Sequence, residues 1–476
     1  MSTTSQASQR IKALLDENSF VEIGALVTAR ATDFNLKQTE TPSDGVITGY
    51  GVIDSNLVYV YSQDVSVLNG TVGEMHAKKI ANLYDLAMKT GAPVIGLINS
   101  AGLRLQEATD ALNGFGEIYM KQVDASGVIP QITAIFGTCG GGLALVPTLT
   151  DFTFMEEKSA KLFVNAPNAI DGNEISKCDT SSAAFQSKEV GIVDVVSDET
   201  SVLAQIRELV SILPANNEDN MSFDECMDDL NRTCEELVNC AGDTSIALSQ
   251  ISDNGIFFET KRNYAKDMVT GFIKLNGATV GAVANRTEVF DAEGKAVENF
   301  DAVLSAKGCE KAADFVNFCD AFDIPVMTLT NVKGFASSEC EEKKIAKAAA
   351  RLTYAFANAT VPKVNVITKK AFGSAYVTMN SKALGADITI AWPDAEIGTM
   401  DAKLAAKIIC DGQGSEAIDA CAQEYAKLQT SAAGAAARGY VDQIVEPSET
   451  RKYIIGAFEM LYTKHEDRPA KKHGTV

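Results

Sequence analysis

Reactive nitrogen is scarce in this chain. Its 476 residues include three histidines, and two of them, His465 and His473, fall within the last dozen positions. Chemistry that turns on an imidazole base therefore has one internal candidate, His76, and the start of a helical pattern there favours a structural role. Cysteine is present but unorganised: ten residues stand singly from Cys139 to Cys421, with no C-x-x-C pair and no histidine at ligand spacing. That pattern excludes zinc fingers and thioredoxin-like redox centres, and no metal site is expected. Basic charge is in deficit, with 42 Lys and Arg against 63 Asp and Glu for a formal charge of -21. Such a field repels nucleic acid and anionic lipid, while screening over about 10 Å leaves room for a local basic patch to hold a small anion. Long apolar runs are missing as well. The most apolar stretch, Val128 to Pro147, is interrupted by Gln131, two prolines and four glycines, so it reads as strand, loop and short helix instead of a membrane span. The opening MSTTSQASQRIKALLDENSF is polar, unlike a secretory signal, and the expected location is cytoplasmic.

Against these absences, 46% of the residues are hydrophobic and 22% charged, enough apolar surface for two globular domains of roughly 220 residues each. The chain also repeats itself. Residues 93–102 read PVIGLINSAG and residues 325–334 read PVMTLTNVKG; residues 129–142 read IPQITAIFGTCGGG and residues 361–374 read VPKVNVITKKAFGS. A shift of 232 puts Lys79 on Lys311, Pro93 on Pro325, Asn99 on Asn331, Gly102 on Gly334, Glu107 on Glu339, Pro130 on Pro362 and Gly141 on Gly373. Across the 63 positions 79–141, twelve identities occur without a gap, where chance gives roughly four. They fall on turns and strand interiors, where backbone geometry is most demanding.

Each copy predicts the same order of elements. In the first, Tyr50 to Val65 alternates like paired strands, His76 to Lys89 has helical spacing, and Pro93 to Asn99 is a short run typical of a strand covered on both faces. A helix over Gln106 to Ser126 and strands over Gln131 to Phe136 and Asp151 to Met155 follow. The second copy matches with Met268 to Val283, Glu310 to Phe322, Val326 to Thr330, Lys343 to Asn358, Lys363 to Thr368 and Asp387 to Trp392. The fold class is α/β, one layered unit used twice. Expected domains are 1–215 and 246–476, joined over 216–245 by an acidic linker helix with a Ser222 cap, and the tail from His465 is expected to be loose or docked on another subunit.

Two loops recur at equivalent places: Ser100-Ala101-Gly102 with Val332-Lys333-Gly334, and Gly140-Gly141-Gly142 with Phe372-Gly373-Ser374. Glycine after a buried strand lets a ligand approach the main chain, and a helix start beyond it aims free N–H groups at that ligand. Two N–H groups converging on a carbonyl oxygen make an oxyanion hole, worth about 3–4 kcal/mol per donor to a developing enolate. The same glycines also permit tight strand-to-helix packing. No nucleophile triad or phosphate-cradling Gly-rich loop is present, so the chemistry has to be one that backbone donors and a cofactor can perform.

Several segments carry a resemblance over nearly the whole chain: RIKALLDENSFVEI (10–23), LNGTVGEMHAKKI (68–80), NSAGLRLQE (99–107), GVIPQITAIFGTCGGG (127–142), NYAKDMVTGF (263–272), FCDAFDIPV (318–326), TVPKVNVITKKAFGSAY (360–376) and AWPDAEIGTM (391–400). They resemble the biotin-dependent acyl-CoA carboxyltransferases, of the propionyl-CoA carboxylase β chain and methylmalonyl-CoA or glutaconyl-CoA decarboxylase α chain type. The resemblance implies two tandem crotonase-like domains of the ClpP/crotonase superfamily, with acyl-CoA held mainly by the first and biotin by the second, usually of neighbouring subunits. It implies catalytic N–H groups at Gly141 and Gly142 facing a CoA thioester, and at Ser374 and Ala375 facing biotin, where the family more often has GGAY. Residues placed beside these groups by the same loops are Ala101, Gly102, Arg104, Gly334, Phe335 and Gly373. This chain departs from the family at NVKGFASS (331–338), where D-V-P-G-F-x-P-G is usual, and at the shortened NAPNAIDGNEISKCDTSSAAFQSKE after the first turn.

A biotin-attachment sequence such as A-M-K-M is absent, so a separate biotin carrier protein is an implied partner. A biotin carboxylase or a membrane decarboxylase subunit is another, the latter making the enzyme peripheral to the membrane, and a homo-oligomer from dimer to hexamer is expected. Carboxylation and decarboxylation use the same site, so direction stays open. A hydratase or isomerase without biotin, with Glu107 as its local acid or base, and a noncatalytic assembly subunit are the alternatives.

Overall fold

The computed structural model describes residues 5–30, 40–219, 225–471 and 474–475. The chain divides into two compact units, Met1–Asn220 and Met221–Val476.

In the first unit the strands are β1 (Val21–Ile23), β2 (Val46–Ile53), β3 (Asn56–Gln63), β4 (Val94–Ile98), β5 (Gln131–Ile135), β6 (Thr138–Gly140), β7 (Phe152–Glu156), β8 (Lys161–Phe163) and β9 (Val195–Ser197). Seven of them form one sheet in the order β1-β2-β3-β4-β5-β7-β9, while β6 and β8 pair apart from it. The first two junctions are antiparallel and the rest parallel. Asp54 and Ser55, both at positive φ, close the β2–β3 hairpin, the geometry that matches strand twist in a two-residue turn. Parallel neighbours need long crossovers, and these are the helices Glu74–Thr90 and Ala108–Ala125. All five residues of β4 are buried, as its unbroken apolar run requires. The helices close on the sheet through Ile80, Leu83, Tyr84, Phe115 and Ile118, packed with Val94, Ile98 and Ile135, and each such side chain contributes about 1.5–3 kcal/mol by leaving water.

The second unit repeats the plan with β10 (Phe257–Thr260), β11 (Met268–Leu275), β12 (Ala278–Asn285), a side hairpin of β13 (Glu288–Phe290) and β14 (Ala296–Asn299), then β15 (Val326–Val332), β16 (Lys363–Phe372), β17 (Ile388–Ala391), β18 (Glu396–Gly398) and β19 (Gln443–Ile444). Its sheet runs β10-β11-β12-β15-β16-β17-β19, with β18 on the far end of β16. Asn276-Gly277, again both at positive φ, closes the β11–β12 hairpin.

The duplication reaches single hydrogen bonds. The bridge Val72↔Leu103 reappears 232 residues on as Leu304↔Phe335. Lys79 and Lys311 are both buried, and both turn their ammonium onto main-chain carbonyls, Ser43 and Val46 in one case, Lys261 and Tyr264 in the other. Burial pushes the two amines down, to about 8 and about 7. The Gln131 and Lys363 N–H groups each donate to a carboxylate at 2.8 Å, from Asp151 and Asp387.

One expectation needs correction. Residues 216–245 hold, among those described, one helical turn at Leu237–Cys240 before a helix begins at Thr244, and Ser222 lies outside the described residues. Asn216 donates to the Gly91 carbonyl of the first unit, whereas Cys234, Leu237 and Cys240 are buried in the second unit's core, so the latter part of this stretch packs as part of the second unit. Just ahead of the tail, the Lys464 ammonium donates to the Val361 carbonyl at 3.0 Å and to Asp387 at 2.9 Å, and within the tail Lys471 lies over the Tyr354 ring.

Candidate active site

In the first unit β6 ends in a glycine turn. Gly141 has φ +63, outside the range favoured by other residues, and a Cβ built on it would meet no atom within 4 Å. A 3-10 turn, Gly141–Ala144, starts there and runs into the helix Leu145–Thr148, so the opening N–H groups have no partner within the turn. Gly142 is exposed and Gly141 half-buried. Gly140 is wedged by Phe163, which fixes the base of the turn while its face stays open.

Alongside runs the loop from Ser100 to Glu107. Gly102, at φ +97, lies 3.7 Å from the Gly140 carbonyl when a Cβ is built on it, so the two loops adjoin. The N–H groups here are already engaged: Ala101 donates to Asn69 O, Gly102 to Ser100 Oγ, and Arg104 to Val72 O. Ala101 and Gly102 can line the space, but the free donors are at the Gly141 turn.

Arg104, expected to contact ligand, is instead 1% exposed. Its Nη1 donates to Asp44 at 2.6 Å and Glu107 at 2.8 Å, and its Nη2 to the Thr71 carbonyl at 2.7 Å. Two carboxylates on one guanidinium leave surplus negative charge, which the N-terminus of the Glu74–Thr90 helix offsets: the Glu74 N–H donates to Glu107 and the His76 N–H to Asp44. Arg104 therefore fixes the loop to the helix, because a charge can be held in that interior only when paired on every side. Glu107, 3% exposed, is held in the same cluster by Arg104 and the Glu74 N–H.

His76 is 0% exposed and is no base. Its Nδ1 lies 3.0 Å from the Asp44 carbonyl, an acceptor, so Nδ1 carries the proton and Nε2 accepts from the Gln63 amide at 3.2 Å. The Gln63 oxygen is then left to accept the Asn99 N–H at 3.2 Å. Burial, with Arg104 nearby, pushes the imidazole down to about 3. The chain of contacts holds the end of β4, from which the first loop departs.

The second unit presents the same turn. Gly373 also has φ +63 and opens the helix Gly373–Thr378. Ser374 is exposed and Ala375 buried. Ser374 lies outside the left-handed region, so the GSAY sequence keeps glycine where the backbone demands it and places serine where it does not. Gly334 has open space before it, Phe335 is half-buried in the bridge to Leu304, and the Asn331 N–H donates to Asn285 at 3.1 Å, as Asn99 does to Gln63. Burial raises the Tyr376 phenol to about 12 and pushes the Cys139 thiol up as well. Both groups therefore keep their protons near pH 7, and what each turn offers chemically is fixed main-chain donors, with open space before Gly141 and the Thr399 carbonyl 3.3 Å from a Cβ built on Gly373.

Sequence reasoning missed Asp44 and Gln63. The matched Asn99 and Asn331 at the ends of apolar strands were a visible sign of the polar support beneath the loops. Asp44 gave no such sign, lying far from both Arg104 and Glu107 in sequence.

Comparison with known proteins gives the family and the fold. Residues 4–476 match the carboxyl transferase domain family. The chain is 40% identical to the methylmalonyl-CoA decarboxylase alpha subunit of Propionigenium modestum, over 99% of its own length and 92% of that protein's. It is 40% identical to the propionyl-CoA carboxylase beta chain of Roseobacter denitrificans, over 99% and 93%. A crystal structure of transcarboxylase 12S with methylmalonyl-CoA bound superposes with a TM-score of 0.92 at 36% identity, covering 98% of this chain and 92% of that one. With family, fold and paired turns in agreement, the chain belongs to the carboxyl transferase domain family: it is a carboxyltransferase of the acyl-CoA carboxylase and decarboxylase type, built from two crotonase-like α/β domains in tandem.

Proposed function

We propose that this chain moves a carboxyl group between biotin on a separate carrier protein and the α-carbon of a short-chain acyl-CoA, with propionyl- and methylmalonyl-CoA the first pair to test and acetyl- and malonyl-CoA the second. The observation that carries it is the repeated turn, with Gly141 and Gly373 at the same φ of +63, each opening a helical turn onto exposed main chain. The open face at Gly141, where even a Cβ meets nothing, fits the approach of a thioester carbonyl. Gly141 and Gly142 N–H groups orient that carbonyl and stabilise the enolate formed at its α-carbon, with Ala101 and Gly102 lining the approach. In the second unit Ser374 and Ala375 N–H groups would hold the ureido oxygen of biotin, beside Gly334, Phe335 and Gly373. Biotin, when bound, supplies the carried carboxyl group and a ureido nitrogen able to take the α-proton. This chain's own part is to bind, orient and stabilise, which suits turns that offer main-chain donors.

The partners proposed are a biotin carrier protein with either a biotin carboxylase or a membrane decarboxylase subunit. Methylmalonyl-CoA decarboxylase alpha and propionyl-CoA carboxylase beta are themselves subunits by name, and transcarboxylase 12S assembles as a hexamer; a homo-oligomer is proposed here too. Among the described residues no helix is long and apolar enough to cross a membrane, so contact with one would run through a partner. A hydratase or isomerase is disfavoured because Glu107, its local acid or base, is buried against Arg104.

The test is carboxyl exchange by purified protein with methylmalonyl-CoA or malonyl-CoA and either free biotin or a carrier protein. Exchange that depends on biotin is expected. Hydration or isomerisation without biotin, or binding with no turnover, would overturn the proposal. Gly141→Val is expected to lower kcat about 10²–10³-fold by removing a donor's access, with an unchanged circular dichroism spectrum.

A further inference from the structure

Tyr119 stands on the inward-turning side of the Ala108–Ala125 helix, half-buried, with its ring against Phe115 at a centroid distance of 6.1 Å. Its hydroxyl donates to the Gly142 carbonyl at 2.5 Å. The same carbonyl accepts the Leu145 N–H, so both of its lone pairs are used. A main-chain carbonyl at the exposed head of a helix needs no second donor for solvation, since water reaches it. What the phenol adds is direction: the Gly142–Leu143 peptide plane is clamped from outside the turn. Its N–H, that of Leu143, is the 232-residue counterpart of the Ala375 N–H.

The second unit lacks this clamp. The position equivalent to Tyr119 is Arg351, which pairs with Asp314 at 3.2 Å. That difference accounts for the residues next to it. A Cβ on Gly142 would sit 3.1 Å from the Tyr119 hydroxyl, tighter than ordinary contact, so glycine is favoured there although its φ lies outside the left-handed region. At the matching Ser374 no phenol intervenes, and a side chain is accommodated.

We propose that the Leu143 N–H joins those of Gly141 and Gly142 as a donor to the thioester oxygen, and that Tyr119 is its positioning residue in carboxyl transfer, orienting and polarising the Gly142–Leu143 peptide. A hydrogen bond to an amide oxygen strengthens the N–H of the same peptide, and a fixed plane avoids reorganisation as charge develops. Burial pushes the phenol's pKa up, consistent with a hydroxyl that keeps its proton. The proposal rests on the reading of this turn as the acyl-CoA site.

The experiment uses Tyr119→Phe, which keeps the ring against Phe115 and deletes the hydroxyl alone. Expected are a kcat about 10-fold lower, the size of one hydrogen bond's contribution, with KM for acyl-CoA and Tm unchanged. The decisive readout is the infrared stretch of the thioester carbonyl of bound acyl-CoA. The parent should lower its frequency relative to free acyl-CoA, and Tyr119→Phe should give back part of that shift. Fluorotyrosine at position 119, a stronger donor of nearly the same shape, should enlarge it, which keeps the test open even where Phe perturbs folding. A full shift in the parent that is unchanged in both variants overturns the role of Tyr119. No shift in the parent overturns the reading of the turn as the thioester site, and a fall in kcat that follows Tm alone assigns Tyr119 to packing.

Discussion

His76, Arg104 and Glu107 were the side chains singled out in the first unit for the chemistry they could offer, and the fold buries all three. A neutral imidazole held near pKa 3 in the folded state, against about 6.5 when unfolded, gives a definite sign to acid unfolding. Between those values the unfolded chain binds the extra proton and the folded chain does not, so stability falls as pH drops from about 6.5 towards 3, by up to about 1.4 kcal/mol per pH unit. Denaturant midpoints of the parent and His76→Gln are expected to converge over that interval; a constant gap between pH 7 and 4.5 would count against a buried neutral imidazole. Arg104→Met should cost roughly 3–5 kcal/mol, because it leaves Asp44 and Glu107 buried without their cation, measurable by urea unfolding. Glycine's role was legible at this scale, since Gly141 and Gly373 stand where backbone freedom has a use. The direction of Arg104 was not, because an arginine beside a glycine loop looks alike whether it faces a ligand or an interior carboxylate sixty residues upstream.

Helices and strands were the most readable level, and for a physical reason: β4 is covered on both faces and so carries an unbroken apolar run, while the helical spacing of His76 to Lys89 marks the helix Glu74–Thr90 beside it. What holds elements to each other was less readable. Alignment pairs Glu107 with Glu339, yet the acid that receives the N-terminus of the Ala306–Ala321 helix is Glu341, accepting the Ala306 N–H at 2.6 Å, as Glu107 does from Glu74 in the first copy. Glu339 points outward and pairs with Lys343, both largely exposed. The function of a cap depends on reach, which two residues of loop can shift without altering the fold. Glu341→Ala should therefore cost about 1 kcal/mol, as loss of a helix cap does, whereas Glu339→Ala should stay within about 0.5 kcal/mol, as for an exposed pair. Midpoints from chemical denaturation decide between them, and equal effects would restore Glu339 to the role that alignment gives it.

Duplication of a whole unit explains how one fold can serve two ligands: each copy has its own sheet, its own core and its own glycine turn, so either turn can diverge without disturbing the other. Divergence has in fact been unequal. The first copy keeps Gly141-Gly142 under the Tyr119 clamp, and the second keeps Gly373 but carries Ser374, an Arg351 that turns elsewhere, and a Gly334 outside the left-handed region that Gly102 occupies. If the copies divide the labour as proposed, damage to the two turns must differ in kind. Gly141→Val fills the space before the first turn and strains a φ of +63, so acyl-CoA binding measured by titration calorimetry should weaken together with turnover. Gly373→Val strains the same φ, with its Cβ 3.3 Å from the Thr399 carbonyl, and should leave acyl-CoA binding within about twofold of the parent, under about 0.4 kcal/mol, while carboxyl transfer falls about 10²-fold or more. Strain alone cannot produce that split, since both positions pay the same backbone cost of about 1–2 kcal/mol. Equal loss of acyl-CoA binding in the two variants would mean that the turns share a ligand, and the assignment of one enolate to each copy would have to be withdrawn.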